Sequence, residues 1–357
     1  MINSRRFLLP TVAAGLLLAV AADGRAAENR IRVIAALPNL GAIAAAVGGD
    51  RVDITTIAAG TQDAHFVDPK PSYMVKLRGA DMILVNGLDL EIGWIPPLTQ
   101  GARNPKLLIG APGHIDCSQG IQVIEIPSNL SRTEGDVHPY GNPHYLTDPL
   151  NATVVAGTIA EALKKLDPAS SAYFDDRRRD FVKAVNEALF GKDLVDLAGG
   201  TKLSREASAG TLDAFLDGTS VAGGTLRAKL GGWLGRLQAV RGKPVICYHK
   251  DYSYFAARFG LDIVEYVEPK PGIQPSAKHL EDLIARLKQG DVRVIITRPY
   301  VEHRSTDYLA EKTGVKVVTL PLEVGGAPEA TDYVKLFDYV TKQMAVALGP
   351  PPPAPGL

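Results

Sequence analysis

The chain has 357 residues, enough for one large domain or two ordinary ones, and either can bury a core. Hydrophobic residues make up 46% and charged residues 22%, which excludes a disordered polypeptide. Lys plus Arg (39) balances Asp plus Glu (39), so no net basic excess points to a nucleic-acid partner, and two cysteines cannot form a disulfide framework.

The first segment reads as a secretory signal peptide over 1–27. Arg5 and Arg6 precede an apolar run, broken once by Pro10, and small residues follow. The run is too short for a comfortable membrane span. A periplasmic mature protein is therefore expected, with Cys117 and Cys247 in an oxidising compartment. Whether they pair is not legible.

From residue 31 short apolar runs alternate with helical periodicity. Strands are expected at 31–37, 52–58, 81–86 and 106–110, with helices at 39–47, 71–78 and 151–166. This rhythm predicts an α/β lobe over 31–166 with a parallel sheet. A connecting helix is expected over 168–198, with Pro168 in its first turn; some 28 residues would span about 42 Å. Residues 199–232, richer in Gly, Ser and Thr, read as an insertion. The βα rhythm resumes in a second lobe over 240–348, with strands at 244–248, 262–267, 292–297 and 315–320. Helices are expected there at 252–259, 276–288, 306–313 and 331–347. A Pro-rich tail occupies 349–357. The expected architecture is thus two Rossmann-like lobes joined by a long helix. A ligand would lie in the cleft, beyond the carboxyl ends of the strands.

Three of the seven histidines sit in comparable places. His65 (TQDAHFVDPKPS) follows the second strand, His144 (GNPHYLTDPLNA) precedes a helix, and His249 (VICYHKDYSYFAARFGL) ends the first strand of the second lobe. Their wide separation excludes a local zinc knuckle; only tertiary structure can assemble them. Imidazoles are good donors for a borderline divalent cation, and three of them favour zinc over manganese, which prefers oxygen.

The segments QDAHFVDPKPS, NPHYLTDPLNA and YHKDYSYFAARFGL, the last followed by IQPSAKHLEDLI, resemble the ligand loops of the zinc/manganese class of ABC-transporter substrate-binding proteins. The resemblance covers about 31–348. It implies two α/β lobes, a rigid connecting helix, a divalent metal held between the lobes by His65, His144 and His249, and delivery to an inner-membrane ABC permease. It also implies a fourth ligand after the last strand. Glu323 falls there, where the family usually carries Asp; Asp332 and Glu268 are weaker candidates. His138, in the loop where zinc members often carry many histidines, reads either as a solvated residue or as a secondary metal contact. Asp63 and Asp148 either orient ligand histidines or cap turns. A monomer is expected. Rival readings are the same scaffold carrying manganese or iron(II), an exported zinc hydrolase, and an adhesin stabilised by metal.

Overall fold

The computed structural model describes residues 30–128 and 138–349. The leader expected over 1–27 and, apart from Gly349, the tail lie outside the described residues. No described helix is long and apolar enough to cross a membrane.

Two four-stranded parallel sheets form the two lobes. The first has the order β2-β1-β3-β4, from β1 (Ile31–Ala35), β2 (Val52–Thr56), β3 (Met82–Val85) and β4 (His114–Asp116). Its register pairs Ile31 with Val52, Val33 with Met82 and Ile83 with His114. A small antiparallel hairpin joins β5 (Ser220–Val221) and β6 (Gly224–Thr225). The second large sheet has the order β10-β9-β7-β8, from β7 (Pro244–Cys247), β8 (Asp262–Tyr266), β9 (Val294–Thr297) and β10 (Lys316–Thr319). Strands β3 (MILV) and β9 (VIIT) are buried at every position, as suits interior strands of a parallel sheet covered on both faces.

The expected strand at 106–110 is not formed. Asn104 accepts the amide of Lys106 at 3.2 Å and Pro105 starts a 3-10 turn over Pro105–Leu107. Leu107 is buried, whereas Leu108 and Ile109 face solvent, so the apolar run covers a surface. The fourth strand is β4 instead. A helix that the sequence reading passed over, Ile95–Ala102, starts with Pro96 and Pro97 in its first turn, where proline is tolerated.

The helices that matter for the site are α1 (Pro38–Gly48), α2 (Pro71–Arg78), α3 (Ile95–Ala102), α4 (Pro149–Leu166) and α5 (Ser171–Phe190). The expected single helix from Pro168 is split: α5 stops at Gly191, whose φ of +89° only glycine adopts cheaply. A Cβ there would also lie 2.8 Å from Gly231 Cα. At 20 residues α5 is about 30 Å long. It packs on α1 and α4 on one side, and on α9 (Gly232–Leu237) and α13 (Tyr333–Leu348) on the other. Its buried Phe174, Phe181, Val185, Leu189 and Phe190 each contribute about 1.5–3 kcal/mol by burial, which fixes it to both halves. Between α5 and α9 the chain forms α6 (Lys192–Ala198), α7 (Gly200–Ser208), α8 (Leu212–Gly218) and the β5–β6 hairpin. The second lobe is completed by α10 (Ser253–Phe259), α11 (Ala277–Leu287) and α12 (Arg304–Thr313).

Candidate metal centre

Loops at the carboxyl ends of strands in the two large sheets meet at three histidines. His65 lies on the loop between β2 and α2, and His144 on the loop into α4. His249 lies two residues past β7. One donor nitrogen of each lies within 4.8 Å of the others. The ring centroids are 5.3 Å apart for His65 and His144, 5.6 Å for His65 and His249, and 5.5 Å for His144 and His249.

Each of the three rings is held by its Nδ1. Asp63 Oδ1 lies 2.7 Å from His65 Nδ1 and accepts the His65 amide at 3.0 Å. Asn142 Oδ1 repeats the device, 2.9 Å from His144 Nδ1 and 2.9 Å from the His144 amide nitrogen. Glu268 Oε2 lies 2.6 Å from His249 Nδ1. With an oxygen acceptor at each Nδ1, the proton sits there and the Nε2 lone pair is left for a cation.

The supports come from both lobes. Trp94 Nε1 donates to Ala64 O at 2.9 Å, pinning the His65 loop to the start of α3. The Asn142 amide group donates to Lys250 O at 2.6 Å and to Glu125 Oε2 at 2.8 Å, so one side chain links the His144 loop to the residue after His249. Tyr254 OH donates to Asn142 O at 2.8 Å. Behind the site Arg298, nearly fully buried, lies 3.0 Å from Asp251 Oδ2 through Nε and 4.0 Å from Asp63 Oδ2. The Arg298–Asp251 contact is at ion-pair distance without hydrogen-bond alignment.

Burial alone would raise the Asp63 carboxyl, but the His65 hydrogen bond and charge, with Arg298, hold it well below the ordinary range. Burial and the charges of its neighbours depress the His144 imidazole. The same causes push His138 down to about 3. These rings are therefore neutral, as metal ligation requires.

The remaining expected residues divide. Glu323 follows β10 and is buried, but it is not among the donors that cluster within 4.8 Å. The amide of Asn39, at the start of α1, donates to its Oε2 at 2.8 Å. Burial pushes its carboxyl up to about 8. With His65 and His144 it lines a cavity of about 20 Å³ beside the histidines. Glu268 is the His249 partner. Asp332 caps α13, accepting the Lys335 amide at 2.9 Å. Asp148 caps α4 through the Leu150 amide and pairs with Arg258 at 2.7 Å, so it orients a helix and an arginine, not a histidine. The residues holding His144 and His249, Asn142 and Glu268, were missed in these roles. The first had a signal: an Asx two residues before the histidine, in Asp63-Ala64-His65 and again in Asn142-Pro143-His144. Cys117 and Cys247 are both buried and free, their thiols pushed up chiefly by burial.

Three comparisons bear on this arrangement. The family model described as zinc-uptake complex component A, periplasmic, matches residues 33–189 and 229–347, leaving 190–228 unmatched. Among curated proteins, the high-affinity zinc uptake system protein ZnuA of Yersinia pestis is 23% identical over 88% of this chain and 91% of its own length. The iron ABC transporter substrate-binding lipoprotein MtsA of Streptococcus pyogenes is 26% identical over 85% of this chain and 83% of its own. Among solved structures, the Mn²⁺ complex of the substrate-binding protein FpvC from Pseudomonas aeruginosa aligns with a TM-score of 0.66 at 20% identity, covering 89% of this chain and 98% of that one. The chain belongs to the periplasmic zinc-uptake complex component A family.

Proposed function

We propose that this protein is an exported carrier that binds one divalent transition-metal ion through His65, His144 and His249 and hands it to an ABC-type permease in the inner membrane. The observation that carries the reading is the convergence of three imidazoles from both lobes, each with Nδ1 bound to an oxygen acceptor. Neutral imidazoles suit zinc, and zinc is the cargo this reading assigns. Relatives named for iron and for manganese favour a second reading, the same carrier with one of those ions as cargo. Replacing each histidine in turn by Ala and measuring zinc affinity by chelator competition tests the site: each loss should abolish tight stoichiometric binding. Metal analysis of protein purified without added metal separates zinc from manganese and iron. Unchanged affinity in all three variants would reject the carrier reading.

A further inference from the structure

His138 stands beside the cluster in contact with His65, although, like Glu323, it is not one of the three donors that all lie within 4.8 Å of one another. Its Nε2 lies 3.1 Å from His65 Nε2, and its ring centroid is 5.2 Å from that of His65 and 6.2 Å from that of His144. Two imidazole nitrogens sharing a tetrahedral zinc at 2.0–2.1 Å lie about 3.3 Å apart, with ring centroids about 5.2 Å apart. The contact is therefore spaced for a shared ion. The backbone presents the ring: the Gly141 amide donates to His138 O at 3.1 Å, closing a turn with Pro139 in its second position. Gly141 has a φ of +98°, and a Cβ on it would meet Val123 Cγ1 at 2.4 Å, so this turn requires glycine. With His144 and His249, His138 also lines a cavity of about 530 Å³ that opens onto the cluster.

We infer that His138 is the fourth donor, giving a four-imidazole site in which it, rather than Glu323, sets the preference for zinc over manganese. The inference rests on the carrier reading above. In the metal-free protein His65 Nδ1–H is directed at Asp63, so His65 Nε2 accepts and His138 Nε2–H donates. On binding, the His138 proton moves to Nδ1 and both Nε2 lone pairs turn to the ion, with no net proton released. An all-nitrogen set disfavours manganese, which prefers oxygen.

The test uses the whole mature chain. X-ray absorption at the zinc edge should fit four imidazoles in the parent protein and three in His138→Ala. In chelator competition, His138→Ala should lose zinc affinity by at least the ~10–100-fold that loss of an outer-shell partner typically costs. Its manganese affinity should stay within a few-fold, so that selectivity falls. The loss in Glu323→Gln should be smaller. A parent spectrum with three imidazoles and one oxygen, or a larger zinc loss in Glu323→Gln than in His138→Ala, overturns the inference and leaves the three-histidine carrier standing. Unchanged zinc affinity in His65→Ala, His144→Ala and His249→Ala would instead remove the carrier reading itself.

Discussion

Glu268 and His249 meet at 2.6 Å, Oε2 to Nδ1, where the chain leaves β8 and β7, with little of either side chain exposed. The parallel ladder continues to this point, since the Glu268 amide donates to Tyr248 O at 2.9 Å. Sheet register thus places the carboxylate beside the ring. Glu268→Ala should weaken zinc binding by ~10–100-fold, whereas Glu268→Gln, which keeps an oxygen acceptor, should lose less. Chelator competition on the two variants checks the order; equal affinity in both would speak against an orienting role.

Asn142 is a single amide serving His144, Lys250 and Glu125. Replacing it by Leu strands several buried partners, each costing about 1–3 kcal/mol. Asn142→Leu should therefore lower the unfolding free energy of the metal-free protein by at least about 2 kcal/mol in urea titration. It should weaken metal binding as well.

The Arg298–Asp251 pair is buried at both ends. Removing one charge leaves the other uncompensated, at a cost of about 3–5 kcal/mol, whereas an apolar pair of similar volume is often neutral. Arg298→Met should thus be strongly destabilising, and adding Asp251→Leu should recover most of the loss. A double variant no better than the single would show that the site needs the charges, not merely their neutralisation.

Two groups impose opposite pH slopes on the metal-free protein. The Glu323 carboxyl is raised by burial from 4.5 to about 8 in the folded state. Unfolded chains ionise it first, so its contribution to stability falls as pH rises from about 4.5 towards 8. Glu323→Gln should gain stability relative to the parent between pH 5 and pH 8. His144 behaves in the other sense. Its folded value is depressed by burial and neighbouring charge. The unfolded chain therefore binds the extra proton below about pH 6.5, and stability is lost as pH falls through that range. Thermal scans across pH 5–8 check both signs.

Gly60, in the loop after β2, carries the contact between that loop and the chain after β10. A Cβ there would fall 2.2 Å from Val324 O and 2.5 Å from Gly326 N. Backbone cannot yield as a flexible side chain can, so Gly60→Ala should push the two lobes apart locally. The expected results are lower thermal stability and weaker zinc binding, because His65 and Glu323 lie on the two displaced segments.

The sheets, their order of appearance and most helices were legible because apolar runs and helical periodicity alternate strongly. Helix α13 buries Tyr333, Leu336, Phe337, Val340 and Met344 on one stripe. The strand at 106–110 was misread because hydrophobicity does not tell a buried run from one on the surface, and Asn104-Pro105 turn chemistry decides the matter. The long helix was overextended because Gly191 reads as a tolerable interruption until Gly231 is seen against it. Among candidate site residues, the three histidines were marked by context. Glu268 reads from the sequence only as a weaker candidate for the fourth ligand, since its pairing with His249 across strand ends appears only with the register. Asp148 could orient a histidine or cap a turn on the sequence alone, and in the structure it caps α4 and pairs with Arg258.

The proposed carrier site requires residues from both lobes to share one ion. Anomalous diffraction at the zinc edge, from crystals of the zinc-loaded protein, measures this directly. One strong peak is expected 2.0–2.1 Å from the Nε2 atoms of His65, His144 and His249. A zinc peak elsewhere, or one bound to histidines of a single lobe, would contradict it.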